Sequence, residues 1–216
     1  MKKILLGLLV AAAAQPAQAE AGDLLIRVRG IMVAPNEDSG SILPAFPGEE
    51  VKVDDSIMPE VDITWMATDR IGLELIAATT KHHASGKTGA TGAIGRLAST
   101  WVLPPTLTVQ YHANPGGRLR PYIGAGINYS LFYSEDASAA LEAAAGDTRV
   151  RMSDSLGWAL QAGLDLDLND KVFLNLDVKY IDIDTTARLD TAAAGTQRVR
   201  ISLDPFVFGV GIGTRF

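Results

Sequence analysis

Residues 155–168, SLGWALQAGLDLDL, decide the fold. Every second residue is apolar, and the residues between them are small or polar. A period of two indicates a strand whose two faces meet different surroundings. A water-soluble sandwich would also alternate, but it would place large apolar residues inside and many charges outside. Small residues in the middle of the second face match the interior of a narrow barrel. The apolar face consists of Leu156, Trp158, Leu160, Ala162, Leu164, Leu166 and Leu168.

Seven further segments show the same alternation. Short turns and longer connections rich in Gly, Ala, Ser and Asp follow each other along the chain. This order predicts an all-β fold, an eight-stranded antiparallel transmembrane β-barrel with short periplasmic turns and longer extracellular loops. The seven segments are residues 26–29, 61–65, 71–78, 106–111, 121–133, 174–180 and 206–216. The expected long loops are residues 34–50, 81–95, 134–147 and 186–196, and a short helix is plausible within 138–145.

Composition agrees with this class of protein. The chain has 216 residues and no cysteine, so it has no disulfide, thiolate metal site, cysteine nucleophile or lipidated N-terminal cysteine. Its mean hydropathy is +0.15, which is high for a soluble protein. No stretch reaches the roughly 18 apolar residues that a spanning helix needs.

The N-terminus has the form of an export signal. Lys2 and Lys3 precede an uncharged apolar run over residues 4–14, and Ala17-Gln18-Ala19 fits a small-x-small cleavage site. We therefore expect residues 1–19 to be a cleaved signal peptide and residues 20–216 to be the outer-membrane β-barrel of a Gram-negative bacterium. Removing two lysines takes the net charge from −6 to −8. So acidic a chain is a poor candidate for nucleic-acid binding.

The alternation of side chains along each predicted strand indicates which residues line the interior of the barrel. Near the periplasmic turns the inward positions are mostly charged, and unpaired charges in a closed lumen are costly. They would form either a salt-bridged plug or a polar conduction path. This polar layer comprises Arg27, Arg29, Glu74, Gln161, Asp165, Asn175, Asp177, Lys179 and Arg215. Further out, the inward positions become apolar, and the candidates for an outward-facing pocket are Ile76, Ala78, Phe132, Ile181 and Ile183.

Other chemistry has little support. His82-His83 could bind a metal, but adjacent side chains on an extended segment point apart, so a solvated loop is expected and no metal site is predicted. Nucleophilic catalysis needs Ser or Thr beside a His base and an orienting acid, and no serine accompanies the three histidines convincingly. We predict no enzyme activity and no cofactor.

Short segments spread over nearly the whole mature chain resemble the outer-membrane protein W (OmpW) family. The resemblance implies an eight-stranded outer-membrane barrel with a narrow apolar lumen proposed to pass small hydrophobic molecules. It also implies that Ile76 lines the constriction, with Lys179 standing where the family has an aromatic residue. The matching segments are residues 66–69, 71–72, 74–75, 103–106, 120–122, 124–129, 182–186, 203–205 and 215–216, together with Tyr180.

Two further features concern exit and assembly. Proline removes a ladder donor, so Pro104, Pro105 and Pro205 are candidates for a lateral opening into the bilayer. The terminal Phe216 resembles the signal recognised by the barrel assembly machinery, an expected partner during biogenesis. The expected function is uptake of a small hydrophobic ligand across the lipopolysaccharide leaflet. The alternative is a plugged structural barrel whose extracellular loops bind surface partners, and in either case the barrel contacts lipid and lipopolysaccharide.

Overall fold

A computed structural model describes residues 20–216 of the chain. The predicted signal peptide lies outside the described residues and stays a prediction. The elements are β1 (Leu24–Ala34), β2 (Asp38–Ser39), β3 (Val51–Val53), β4 (Ser56–Met66), β5 (Ile71–Ala78), β6 (Thr80–Gly86), α1 (Gly89–Ile94), β7 (Arg96–Leu103), β8 (Thr106–His112), β9 (Leu119–Ala137), α2 (Ala139–Ala145), β10 (Thr148–Met152), β11 (Ser155–Asp167), β12 (Val172–Ile181), β13 (Asp184–Thr191), β14 (Gly195–Ser202) and β15 (Phe206–Arg215).

Eight antiparallel strands close into a barrel, as the alternation predicted. The order around the ring is β1-β4-β5-β8-β9-β11-β12-β15, and β15 pairs again with β1 from Leu25–Arg215 to Ala34–Phe206. The backbone N–H of Leu24 also donates to the carbonyl of Phe216 at 3.0 Å. Both ends of the barrel domain therefore lie at one rim, together with the short turns after β4, β8 and β11.

The distribution of side chains is the reverse of that in a soluble protein. Outward-facing apolar residues are exposed, for example Leu156 at 73% and Ile123 at 63%. Inward-facing charged residues are fully buried, including Arg27, Glu74 and Asp165 at 0%. Such a surface needs an apolar solvent around the barrel and requires the interior charges to satisfy one another.

Beyond the ring, the strands separate into two extracellular sheets. One contains β3, β6, β7 and the outer part of β9, and the other contains β10, β13, β14 and β2. The β9–β11 ladder ends at the Ser130–Ser155 pair. Above it, β9 pairs with β7 and β10 pairs with β13. Two short helices, α1 and α2, connect strands at this end, and Ser138 caps α2 by accepting a hydrogen bond from the N–H of Leu141.

The predicted loops are shorter than expected, because the strands continue past the apolar belt. Residues 81–86 belong to β6, and residues 186–191 and 195–196 to β13 and β14. The prediction of a solvated loop at His82 is therefore wrong: His82 lies on β6 and is 7% exposed. The predicted helix within residues 138–145 is present as α2. Within residues 20–216, no helix is both long and apolar enough to cross a membrane.

Candidate functional site: the barrel interior

Arg27 is the centre of a buried ion-pair network in the lower half of the barrel. Its guanidinium contacts the carboxylates of Asp62 at 2.9 Å, Asp165 at 3.1 Å and Glu74 at 3.4 Å. It also donates to the hydroxyl of Thr64 at 2.7 Å. A guanidinium group is planar and has several fixed hydrogen-bond donors, so it can pair with several carboxylates at once. One side chain therefore joins strands that lie on opposite sides of the lumen.

Arg29 repeats this arrangement one layer further out. Its guanidinium lies 2.6 Å from Asp62, 2.8 Å from Glu60 and 3.5 Å from Asp177. It donates to the amide oxygen of Asn175 at 3.1 Å. Asp62 is shared by both arginines, so the two layers form one network.

The network ends towards the periplasmic rim in a second cluster. Asp167 accepts from Arg120 at 2.7 Å and lies 3.3 Å from a guanidinium nitrogen of Arg215. The rings of Tyr122 and Phe173 both lie beneath Arg27, at 5.3 Å and 5.5 Å from its guanidinium carbon. These ring faces fill the space between the cations. Tyr122 is buried and points into the lumen.

Lys179 forms the outer surface of this layer. Its ammonium group contacts Glu60 and Asp177, each at 2.8 Å. Of these two partners, Glu60 is a residue that sequence reasoning missed.

All nine side chains of the predicted polar layer lie in this part of the lumen and are at most 8% exposed. Five cations face six carboxylates, so opposite charges are nearly balanced. Full burial of the central members leaves water no access to them, which favours the plug over the polar path. The cations are Arg27, Arg29, Arg120, Lys179 and Arg215, and the carboxylates are Glu60, Asp62, Glu74, Asp165, Asp167 and Asp177.

An apolar cavity begins directly above Lys179 and Glu60. Its free volume is about 70 Å³, so it is narrow. The five predicted pocket residues, Ile76, Ala78, Phe132, Ile181 and Ile183, all line it. Each is 8% exposed or less. The charged layer is thus the floor of this cavity.

A wider apolar vestibule of about 550 Å³ lies above the narrow cavity. The two adjoin each other, because both linings include Ala84, Ala98, Val150, Met152 and Ile201. The vestibule is bounded by α1, α2 and residues 42–46 of the first extracellular connection. That connection crosses to β14, where Leu43 and Arg198 exchange backbone hydrogen bonds of 2.9 and 2.8 Å.

The wall of the narrow cavity is interrupted at Pro104 and Pro105. The ladder between neighbouring strands stops at the Ile76–Thr106 pair and resumes at Thr80–Val102. On their other side the prolines stay bonded to β9, where the Asn128 amide donates to the carbonyl of Pro104 at 3.2 Å and the Tyr129 N–H donates to that of Pro105 at 3.0 Å. Pro104 also lines the cavity.

Pro205 has a different environment. It lines the same cavity, but its carbonyl accepts from the N–H of Ile181 at 3.2 Å. The N–H of Leu203 donates to the carbonyl of Ile183 at 2.8 Å, so the wall stays hydrogen-bonded to the segment between β12 and β13. Asp204 adopts φ +36°, yet the alternation of burial continues through it, since Leu203, Pro205 and Val207 are all buried.

The three histidines lie at two separate places in the barrel, His82 and His83 on β6 and His112 at the end of β8. His82 is hydrogen-bonded through its ring to the carbonyl of Asp54 and to Thr80, at 2.9 and 3.1 Å. His83 contacts the Asp54 carboxylate at 2.9 Å. Among residues 20–216, no group of three or more His, Cys, Asp or Glu side chains has the arrangement of a metal site. His112 is buried and stacks on Tyr122 at 5.2 Å.

Glu49 lies in the first extracellular connection, between β2 and β3, and binds this segment to α1. Its carboxylate accepts hydrogen bonds from the Thr91 hydroxyl at 2.6 Å, the Thr91 N–H at 2.8 Å and the Ala90 N–H at 3.0 Å. These bonds, the Thr91 hydroxyl first among them, hold the pKa of Glu49 below its ordinary value.

Sequence reasoning missed several lumen residues because prolines stand beside them. Glu60 follows Pro59 and Arg120 precedes Pro121, and a proline is ordinarily taken as the end of a strand. Both residues nevertheless continue the inward parity of their strands. Extending each of the predicted segments 61–65 and 121–133 by one residue would have found them.

These features define a class of protein. A closed eight-stranded barrel with an apolar exterior, a charged interior and aromatic residues at the outer belt is a transmembrane barrel of the bacterial outer-membrane type. Trp158, Tyr180 and Phe206 form that belt, with neighbouring ring centroids 5.2 and 5.4 Å apart. The protein is located in the outer membrane of a Gram-negative bacterium.

The chain belongs to the OmpW family, whose model matches residues 20–216. It is 41% identical to the uncharacterized outer-membrane protein y4mB of Sinorhizobium fredii, over 88% of this chain and 79% of that one. Identity with outer membrane protein W of Escherichia coli is 38%, over 91% of this chain and 90% of the relative. The crystal structure of OprG from Pseudomonas aeruginosa superimposes with a TM-score of 0.87 at 32% identity, covering 93% of this chain and 99% of that one.

Proposed function

We propose that the protein takes up small hydrophobic molecules across the lipopolysaccharide leaflet through the vestibule and the narrow apolar cavity. The observation that carries this proposal is the continuous apolar lining from the extracellular rim down to Ile76. A purely structural barrel has no need for such a lining, because its outer lumen could hold water and polar side chains. The ligand would be apolar and slender, since the lower cavity is narrow and offers few polar partners.

Exit through the periplasmic end conflicts with the charged floor. An apolar solute would have to part ion pairs such as Lys179–Glu60, which leaves desolvated charges unpaired. We therefore propose lateral release into the bilayer. Of the three prolines considered, Pro104 and Pro105 are the better candidates, because the ladder is interrupted beside them, whereas the wall at Pro205 is hydrogen-bonded.

Whole-cell uptake of a small apolar fluorophore tests the proposal. Cells lacking the protein, cells with it and cells with Ile76→Trp are compared, because the lipopolysaccharide leaflet retards apolar solutes and simple phospholipid vesicles do not. The indole should fill the narrow cavity and return uptake to the level without the protein. Leu75→Trp is the matched control, since Leu75 faces the lipid and is 53% exposed.

Two results would contradict the proposal. Equal uptake in all strains would favour the plugged barrel whose extracellular loops bind surface partners. Equal loss in Ile76→Trp and Leu75→Trp would show that the change acts on assembly, and the amount of folded barrel in the outer membrane separates these cases.

A further inference from the structure

A cluster of arginines covers the outward face of one extracellular sheet. β10, β13 and β14 alternate between side chains that face the vestibule and side chains that face away from the barrel. The outward positions that carry arginine are all exposed, in a protein whose net charge is −6. They are Arg149, Arg151, Arg188, Arg198 and Arg200.

Three of these arginines stand in one row across the sheet. Arg151 on β10 is directly opposite Arg188 on β13, and Arg188 is directly opposite Arg198 on β14. Like charges in directly opposed positions of antiparallel strands destabilise the sheet. Arg188 pairs with Asp190 at 3.0 Å. Within residues 20–216, Arg151 and Arg198 have no carboxylate within 4.0 Å, so Asp190, which also lies within electrostatic reach of Arg151, is the one close counter-charge for three cations.

The position of the row indicates what neutralises it. Phe206 belongs to the outer aromatic belt, and Arg200 and Arg198 lie six and eight residues before it on the same side of the barrel wall. At about 3.3 Å per residue and the usual strand tilt, this places the arginines roughly 15–20 Å outside the belt. In the outer leaflet this zone holds the inner sugars of lipopolysaccharide, which carry phosphates and carboxylates.

We propose that Arg151, Arg188 and Arg198, flanked by Arg149 and Arg200, form a binding surface for the phosphorylated inner core of lipopolysaccharide. Guanidinium groups bind phosphate oxygens through paired, charge-assisted hydrogen bonds. Several anionic groups on one lipid would neutralise the row at once. The surface faces away from the uptake path, and this proposal is independent of the proposed function.

The test measures binding of fluorescent rough-type lipopolysaccharide to the detergent-solubilised full chain. The variant is Arg151→Gln/Arg188→Gln/Arg198→Gln. The matched control is Lys52→Gln/Lys81→Gln/Arg96→Gln, which removes the same charge from exposed positions of the other extracellular sheet. Heat-modifiable gel migration reports whether each variant is a closed barrel, and the single Arg198→Gln variant serves if the triple variant does not fold.

We expect the triple variant to bind at least tenfold more weakly than wild type and the control to stay within about twofold. Arg198→Gln should give a smaller loss in the same direction. Chemically dephosphorylated lipopolysaccharide should bind wild type as weakly as the triple variant binds the intact lipid.

Other outcomes overturn the proposal. Equal losses in the variant and the control would mean that total charge, not this row, attracts the lipid. Binding of phosphatidylglycerol micelles or poly-glutamate as tight as that of lipopolysaccharide would identify a general anion surface. Unchanged binding in folded variants would show that the lipid contacts the barrel elsewhere.

Discussion

At the scale of single residues, Glu49 shows how one carboxylate can organise an extracellular connection. It satisfies two backbone N–H groups at the start of α1 together with the Thr91 hydroxyl. The helix has no acidic residue in its first turn, so Glu49 supplies from a distance the negative charge that a helix start favours. This contact fixes one side of the vestibule.

The Glu49 contact should weaken in acid. The folded-state pKa of Glu49 lies below the ordinary value of 4.5, so its stabilising contribution is complete above about that pH and is lost as the pH falls through the folded pKa. The hydrogen-exchange protection factors of the Ala90 and Thr91 amides, which are corrected for the pH dependence of intrinsic exchange, should fall over this range.

Glu49→Gln should lower the hydrogen-exchange protection factors of the Ala90 and Thr91 amides at neutral pH. It should also remove the further fall of these protection factors in acid. Glu50→Gln is the control, since its side chain makes no contact with these two amides. Identical pH profiles for wild type and Glu49→Gln would contradict the assignment.

At the scale of elements, the strand pair that meets at Pro104 and Pro105 keeps its register across the gap. The Ile76–Thr106 and Thr80–Val102 pairs belong to the same alignment. The strands therefore run side by side through the gap and lack only the ladder between them. Such a segment can separate locally without shifting the rest of the sheet.

A cross-link at the gap should block uptake if release is lateral. The native chain has no cysteine, so Thr79→Cys and Leu103→Cys, which extend the observed register and retain both prolines, can be joined by a short bifunctional thiol reagent. Fluorophore uptake should fall towards the level of cells without the protein.

Joining Leu75→Cys to Leu107→Cys gives the control, because that pair lies in the intact ladder of the same two strands. Undiminished uptake after complete cross-linking at Thr79 and Leu103 would reject lateral release.

Strand elements differ in how far sequence alone could reveal them. Below the belt, lipid on one side and buried charges on the other impose strict alternation, as in residues 155–168, and these strands were predicted correctly. Above the belt, each face of a strand meets both polar and apolar surroundings. Gly, Ser and His in residues 81–86 look like a loop, yet they pair along β6. Parity also placed Ile76 and Ile183 in the lumen, while the Lys179–Glu60 contact required the three-dimensional register.

At the scale of the whole molecule, the buried charges of the lumen come from seven strands of the ring, and Thr108 on β8 joins them by donating to Glu74 at 3.1 Å. Arg27 and Asp165 are 138 residues apart in sequence and in contact in the lumen. Removing one member of a buried network leaves its partners charged and unpaired, which typically costs about 3–5 kcal/mol. The layer therefore stabilises the barrel only while every charged member keeps its partners.

Arg27→Met should lower the free energy of unfolding by about 3–5 kcal/mol, because Asp62, Glu74 and Asp165 lose their shared cation. Urea unfolding in lipid vesicles measures the change. Lys171→Met, in an exposed turn, should change it by less than about 0.5 kcal/mol.

Adding Asp165→Asn to Arg27→Met should restore part of the loss, since one unpaired carboxylate is then neutralised. Strict additivity of the two losses would show that the residues are not coupled.

The same network makes closure of the barrel the step that completes the pairing of its interior charges. While the chain is being inserted, the first strand already carries Arg27 and Arg29, but Asp165 and Asp177 arrive only with later strands. Until β15 joins β1, the cations and carboxylates border an open seam, and exposing them to hydrocarbon is unfavourable. The last pairing event therefore brings a disproportionate gain in free energy. A chain halted before it keeps a hydrated, charged flank, and that flank distinguishes an unfinished insertion intermediate from the completed protein.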